Sequence, residues 1–211
     1  MSIVLGTLIG GEEKIIKIEL LEELNFTKMQ PGQKFRDALK NSQPLIIPGA
    51  INAYSAKLAE KAGHQAIYLS GSGVAAASYG LPDLGITSMD DVLIDVKRIT
   101  NATSLPLLVD IDTGWGEGDQ IAKTIIEMGM AGCAAVHIED QVFDKRCGHR
   151  PNKQLVSVNE MTNRLEAAIK SKVDDSFFVM ARTDAVASEG IDGAIERCKA
   201  YVEEGADGIF L

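Results

Sequence analysis

Two aspartates stand two residues apart in Val109-Asp110-Ile111-Asp112, at the end of an apolar run. On a strand that spacing puts both carboxylates on one face. A third acid, Glu139, closes the next apolar run, residues 134–140. Hard carboxylate oxygens with room for water suit Mg²⁺. The competing reading is strand-end acids that cap the following helix or pair with lysine. A second cluster lies in residues 144–153, DKRCGHRPNK, where Cys147 stands between Arg146 and His149. Nearby cations stabilise a thiolate, an imidazole adds a proton carrier, and Gly148 lets a ligand approach the backbone. Its alternative is a basic surface loop with an incidental cysteine.

Arg182 ends another apolar run. It suits a substrate carboxylate, or a salt bridge to Asp184 or to one of the acids above. His137 faces the same side of its strand as Glu139, and reads more readily as a core histidine than as a base. Ser70-Gly71-Ser72-Gly73 resembles a backbone anion cradle, but no GxGxxG makes it a dinucleotide site. Asp83, in GLPDLG, is by itself a turn residue, and Cys133 and Cys198 read as core. Together these residues describe a metal-assisted enzyme that acts on a small carboxylate, with a thiol and an imidazole for proton transfer.

The elements that must position them follow from periodicity. Apolar runs at residues 45–50, 66–71, 106–112, 134–140, 177–184 and 207–211 alternate with amphipathic stretches. Ile191, Ala194, Ile195, Cys198 and Val202 share one helix face, and so do Met161, Leu165, Ala168 and Ile169. Ser157 with Glu160 predicts a capping box at the start of the second helix. The three junctions at Ala62, Ala131 and Glu204 each place a glycine where a helix ends, then enter a strand. Repeated β-α units mean a parallel sheet with crossover helices, and polar residues on at least four strand ends favour a (β/α)8 barrel over an open sheet. A barrel needs eight strands and about 250 residues. This chain has 211 and stops in or after strand six, inside the apolar GIFL. The expectation is therefore a (β/α)8 TIM barrel truncated after strand six, spanning 35–211, with 1–34 as a separate N-terminal segment. The alternative is an open sheet.

Composition narrows the partners. With 45% hydrophobic and 24% charged residues the chain is globular. Its net charge of −9 disfavours nucleic acid, and no 18-residue apolar stretch spans a membrane. The apolar start reads as a strand or tail, not a signal peptide. Three cysteines fit a reducing, cytoplasmic compartment.

The segments KRCGHRPNK (145–153), VDIDTGWG (109–116), HIEDQ (137–141), YLSGSGVA (68–75), GLPDLG (80–85) and MARTDA (180–185) resemble the isocitrate lyase/phosphoenolpyruvate mutase superfamily, most closely its 2-methylisocitrate lyases. The likeness runs from about residue 30 to the end. KRCGH is its most specific motif, since the phosphonate-forming mutases lack that cysteine.

The resemblance implies a (β/α)8 barrel, assembled as a homotetramer, that cleaves a di- or tricarboxylate. It implies Mg²⁺, with Mn²⁺ as the alternative ion, held by Asp110 with Asp112, Asp83 and Glu139 around it. It implies substrate contacts from Ser70, Gly71, Ser72, Cys147, Gly148 and Arg182. The implied acid is Cys147, supported by Lys145 and His149. Tyr68, His149 or a Mg²⁺-bound water are candidates for the base. Isocitrate, another 2-substituted malate or oxaloacetate are the alternative substrates, and a truncated relative that binds without catalysis is the alternative outside the enzymes.

Overall fold

The strands that carry the candidate residues lie side by side in chain order. They are β1 (Ile67–Leu69), β2 (Leu107–Asp110), β3 (Ala135–Glu139), β4 (Phe178–Arg182) and β5 (Gly208–Phe210), all parallel. The computed structural model of the chain describes residues 29–148 and 150–211. His149 and the reading of the apolar N-terminal stretch therefore lie outside the described residues. Helices α1 (Pro31–Asn41), α2 (Ala53–Lys61), α3 (Gly71–Tyr79), α4 (Met89–Ala102), α5 (Asp119–Met130), α6 (Val158–Lys170) and α7 (Val186–Glu203) alternate with the strands. Consecutive parallel strands joined by helices form the wall of a (β/α) barrel. No helix among the described residues is long and apolar enough to cross a membrane.

Residues 45–50, expected as the first strand, make only a bridge. Gly49 pairs with Tyr68, through Tyr68 N–H to the Pro48 carbonyl (3.0 Å) and Ala50 N–H to the Tyr68 carbonyl (2.8 Å). Pro44 and Pro48 have no N–H to donate to a ladder, and Ile46 is 68% exposed.

Period-two alternation sorts the strand residues into two layers. Ile67, Leu69, Val109, Val136, Ile138, Val179 and Ala181 join the core under the helices, with Val92, Ile121, Ile125, Met161 and Leu165. The other parity holds Tyr68, Leu108, Ala135, Phe178 and Met180, packed with Phe35. Asp110, His137, Glu139 and Arg182 share that second parity. The register sets Asp110 beside His137 and Glu139 beside Arg182. Every candidate on a strand thus faces the inner side, near a carboxyl end.

The junction glycines behave as expected. Gly63, Gly132 and Gly205 have φ of 86°, 85° and 109°, a left-handed turn open to glycine at little cost. After each, an N–H reaches back five residues, as from His64 to the Ala59 carbonyl (3.2 Å). At α6 the Ser157 hydroxyl accepts from Glu160 N–H (3.1 Å). The reciprocal half of the capping box does not form, because Glu160 pairs with Arg164 instead (2.9 Å). Met161, Leu165 and Ala168 are buried as the pattern requires.

Helix α7 departs from its pattern. Ile191, Ile195 and Val202 are exposed, while Ala194, Arg197 and Tyr201 are buried. The backbone breaks from helical geometry at Gly190 (φ 73°, ψ 179°). Beyond it, Arg197 and Tyr201 turn to the buried Asp140 carboxylate, at 3.4 and 2.9 Å. Bonds to a buried charge outweigh the wider apolar face in setting the helix rotation. Cys198, expected in the core, is accordingly only half-buried. Cys133 is a core residue, and burial pushes its thiol up to about 12.

At the other end of the sheet Asp207 fastens three elements. It accepts from Arg36 (2.7 Å), Lys172 (2.6 Å) and the Val179 N–H (2.9 Å). Burial alone would raise its pKa, but Lys172, the Val179 N–H and Arg36 together hold it below the ordinary range. The stabilisation is then present above the unfolded carboxylate pKa and is lost as pH falls through the folded one. Asp207→Asn is expected to destabilise the chain by about 2–3 kcal/mol at pH 7. Urea unfolding as a function of pH checks this, because the gap to the unmutated protein should close below about pH 4.

Candidate functional site

The strand β2 ends at Asp110, and Asp112 leaves the strand in a left-handed conformation (φ 48°). Aspartate tolerates this turn, and here Asp112 N–H donates to Asp110 Oδ1 (3.2 Å). The two carboxylates therefore converge by a turn, not by sharing a strand face. Both approach Gly71, where an added Cβ would lie 3.2 Å from Asp112 Oδ1 and 3.3 Å from Asp110 Oδ2. Gly71 N–H, at the start of α3, donates to Asp110 Oδ2 (3.1 Å). Ser70 caps this helix: its hydroxyl accepts from Gly73 N–H (3.4 Å) and lies 2.9 Å from the Ser72 hydroxyl. The expected anion cradle thus already serves a carboxylate of the chain.

Lys145 brings Asp83 into the site. Its Nζ is 2.6 Å from Asp83 Oδ1 and 2.6 Å from Asp112 Oδ1. Burial opposes its charge, but Asp112 and Glu139 outweigh burial and raise its pKa, so it stays a cation. Burial likewise opposes charge on Asp110, yet His137, Lys145, Arg182 and the Asp112 N–H hold its carboxyl below the usual range. Burial and then the Asp110 charge push Asp112 up to about 7. Glu139 has Arg182 Nη1 at 3.2 Å from Oε2, but no hydrogen-bond donor on either oxygen. Burial, with Asp110 adding to it, pushes Glu139 up to about 8.

His137 is fully buried and lies 2.9 Å through Nε2 from the Tyr68 hydroxyl. Burial lowers its pKa, against the pull of the Asp110 carboxylate. Burial and Asp110 raise the Tyr68 pKa, so the phenol keeps its proton. Arg182 takes both salt bridges that competed with substrate binding, to Glu139 and to Asp184 Oδ2 (3.3 Å). The half-buried Cys147 sits on the loop after β3, where Pro82, Asp83, Leu84, Lys145 and Arg150 join it around an open cleft of about 920 Å³. Gly148 packs directly on Arg182, since a Cβ there would fall 2.1 Å from Nη2.

Three residues were not singled out from sequence as site residues. Asp184 accepts from Gln141 Nε2 (2.8 Å) and Lys153 Nζ (3.0 Å). Lys153 also donates to the Gly148 carbonyl (2.7 Å), and Gln141 bonds the Arg146 backbone. All three lie within the segments HIEDQ, MARTDA and KRCGHRPNK. Their position beside a strand end or loop was the available signal.

A metal can be tested against this set. No three Asp, Glu, His or Cys side chains among the described residues form a ready coordination shell. The charges fit one nonetheless. With every group ionised, Asp83, Asp110, Asp112, Glu139 and Asp184 would outnumber Lys145, Lys153 and Arg182 by two charges, and Glu139 has two oxygens without donors. Burial first, and then the neighbouring acids, oppose charge on Asp112 and Glu139, and a cation beside them would favour it. A hard divalent cation matches it in charge and ligand type.

A parallel barrel wall with charged groups gathered at the carboxyl ends of its strands defines a (β/α)-barrel protein with its candidate site on that face. Residues 35–211 match the family described as phosphoenolpyruvate phosphomutase. The chain belongs to this phosphoenolpyruvate mutase/isocitrate lyase superfamily. It is 64% identical over 179 residues to a 2-methylisocitrate lyase of Shewanella oneidensis, covering 85% of this chain and 61% of that protein. Its structure resembles a crystal structure of 2,3-dimethylmalate lyase (TM-score 0.81, 36% identity, 87% of this chain and 62% of the other). It also resembles phosphonopyruvate hydrolase in complex with oxalate and Mg²⁺ (TM-score 0.74, 35% identity, 86% and 62%). The chain thus spans about three fifths of the length of the relatives it matches.

The contact at Gly148 has a direct test. Arg182 is held by two carboxylates and cannot swing aside freely, so Gly148→Ala should lift the loop from it. Amide exchange in residues 145–148 is expected to rise about tenfold, while urea unfolding shifts by less than about 1 kcal/mol.

Proposed function

We propose that the chain carries the active site of a metal-dependent carbon–carbon lyase that cleaves 2-methylisocitrate to pyruvate and succinate. The reading rests on one juxtaposition: a buried cluster of strand-end acids faces an arginine on which a cysteine loop is closed. The 64% identity to a 2-methylisocitrate lyase supports the choice of substrate. Mg²⁺ as the resident ion, a cytoplasmic location and assembly as a homotetramer are part of the proposal.

Asp110, with Asp112, Glu139 and Asp83, would hold the metal ion. When bound, the ion would supply positive charge for the substrate hydroxyl and its adjacent carboxylate. Arg182 and the N-terminal turn of α3, Ser70 to Ser72, would hold a further carboxylate through hydrogen bonds. In the cleavage the hydroxyl gives its proton to a base, the carbon–carbon bond breaks as the hydroxyl carbon becomes the pyruvate carbonyl, and the bonding electron pair passes to the succinate half. Cys147 gives that carbon its proton, and Lys145 keeps positive charge beside it. Tyr68 serves as an orienting donor, because it retains its proton; its bond to His137 fixes the hydroxyl. His149, a candidate base, lies outside the described residues.

The expected outcome is pyruvate formation from 2-methylisocitrate that stops with EDTA and returns with Mg²⁺. Cys147→Ser should lower kcat by about 10²–10⁴-fold, the usual worth of a positioned acid. A coupled pyruvate assay checks both, with isocitrate and 2,3-dimethylmalate as competing substrates. Turnover that survives the loss of metal or thiol would sink this mechanism.

A further inference from the structure

Both peptide neighbours of Cys147 are fastened to one carboxylate. On the side of Arg146 the link is Gln141, whose Nε2 donates to the Arg146 carbonyl (2.9 Å) while its Oε1 accepts the Arg146 N–H (3.0 Å). The same Nε2 donates to Asp184 Oδ2 (2.8 Å). On the side of Gly148 the link is Lys153, whose Nζ donates to the Gly148 carbonyl (2.7 Å) and to Asp184 Oδ1 (3.0 Å). Asp184 and Gln141 are buried, and the Lys153 side chain is 11% exposed. Asp184 is itself fixed, because its N–H donates to Asp140 Oδ1 (3.0 Å) and it closely follows the end of β4.

We propose that Asp184, with Gln141 and Lys153 as its two arms, is a latch that sets the position of Cys147 relative to Arg182. None of the three touches the reacting atoms in the reaction proposed above, on which this role rests. They are positioning residues. Among the described residues, the two arms tie Asp184 to loop backbone alone, and the antiparallel bridge Gln141–Leu155 with the bond from Val142 N–H to the Gln154 carbonyl (3.0 Å) closes the base of the loop separately. Loss of one arm therefore frees the tip and leaves the sheet intact. The latch is also tied to the substrate. Arg182 shares Asp184, so a carboxylate that occupies Arg182 leaves Asp184 to Lys153 and Gln141 and tightens the loop.

The test compares Lys153→Met, which keeps the stem and removes the charge, with Lys153→Arg and Gln141→Met in the full chain. Two readouts are taken: iodoacetamide alkylation of Cys147 without substrate, followed by peptide mass, and kcat and KM with 2-methylisocitrate and Mg²⁺. Lys153→Met and Gln141→Met should each alkylate about tenfold faster, with kcat about tenfold or more lower and KM within about threefold, as expected for a displaced group. Lys153→Arg should restore most of both. Unchanged alkylation in the two methionine variants overturns the latch. Unfolding of both also overturns it, because the trio would then hold the fold and not the loop. An unmutated protein without lyase activity but with this alkylation pattern would overturn the reaction alone.

Discussion

A carboxylate taken out of water must find positive charge or hydrogen-bond donors within a few ångströms, or surrender its own charge. Asp110, Asp112 and Glu139 are taken out of water together at the ends of adjacent strands. They meet this demand unequally. Asp110 has the α3 N-terminal N–H and the Asp112 N–H, and stays ionised. Glu139 has a single imperfect neighbour in Arg182. Lys145, Arg182 and the left-handed turn at Asp112 are all consequences of holding these acids in one place. The shortage of donors at Glu139 is what the proposed cation would answer.

Two further carboxylates on the same strand ends do different work. Asp140 faces the helices, where Thr183, Tyr201 and the Asp184 N–H fill its oxygens. It joins β3, β4 and α7, and fixes the rotation of that helix. Asp184 faces the loop and binds side chains that reach loop backbone. Satisfied buried networks of this kind specify one arrangement, because any shift leaves a charge unpaired. Gly148 adds a steric term, since only a residue without Cβ lets the loop rest on the Arg182 guanidinium. Loop position and arginine position are therefore one variable.

Much of the site was legible in the residues themselves. Period-two alternation alone puts Asp110, His137, Glu139 and Arg182 on one face of their strands. The junction glycines at 63, 132 and 205 mark where three helices end, because a left-handed residue there closes the last turn and redirects the chain toward the sheet. Local signals failed where a distant partner intervened. Glu160 chose Arg164 over the helix cap. The apolar face of α7 gave way to Arg197 and Tyr201, which the buried Asp140 attracts. Residues 45–50 read as a strand by composition, but two prolines remove the donors a ladder needs.

The amino-acid sequence by itself determined the parallel β/α order, the inner face of each strand, the acids and the cysteine loop, because periodicity and backbone preferences act between near neighbours in the chain. Only the tertiary structure decided which acids lie together, that Lys145 joins Asp83 to Asp112, and that Asp184 binds the Gln141 and Lys153 side chains that reach the backbone on either side of Cys147. Those pairings join residues up to 62 positions apart. Their strength depends on burial and on distances of about 3 Å, and neither exists until the strands lie side by side.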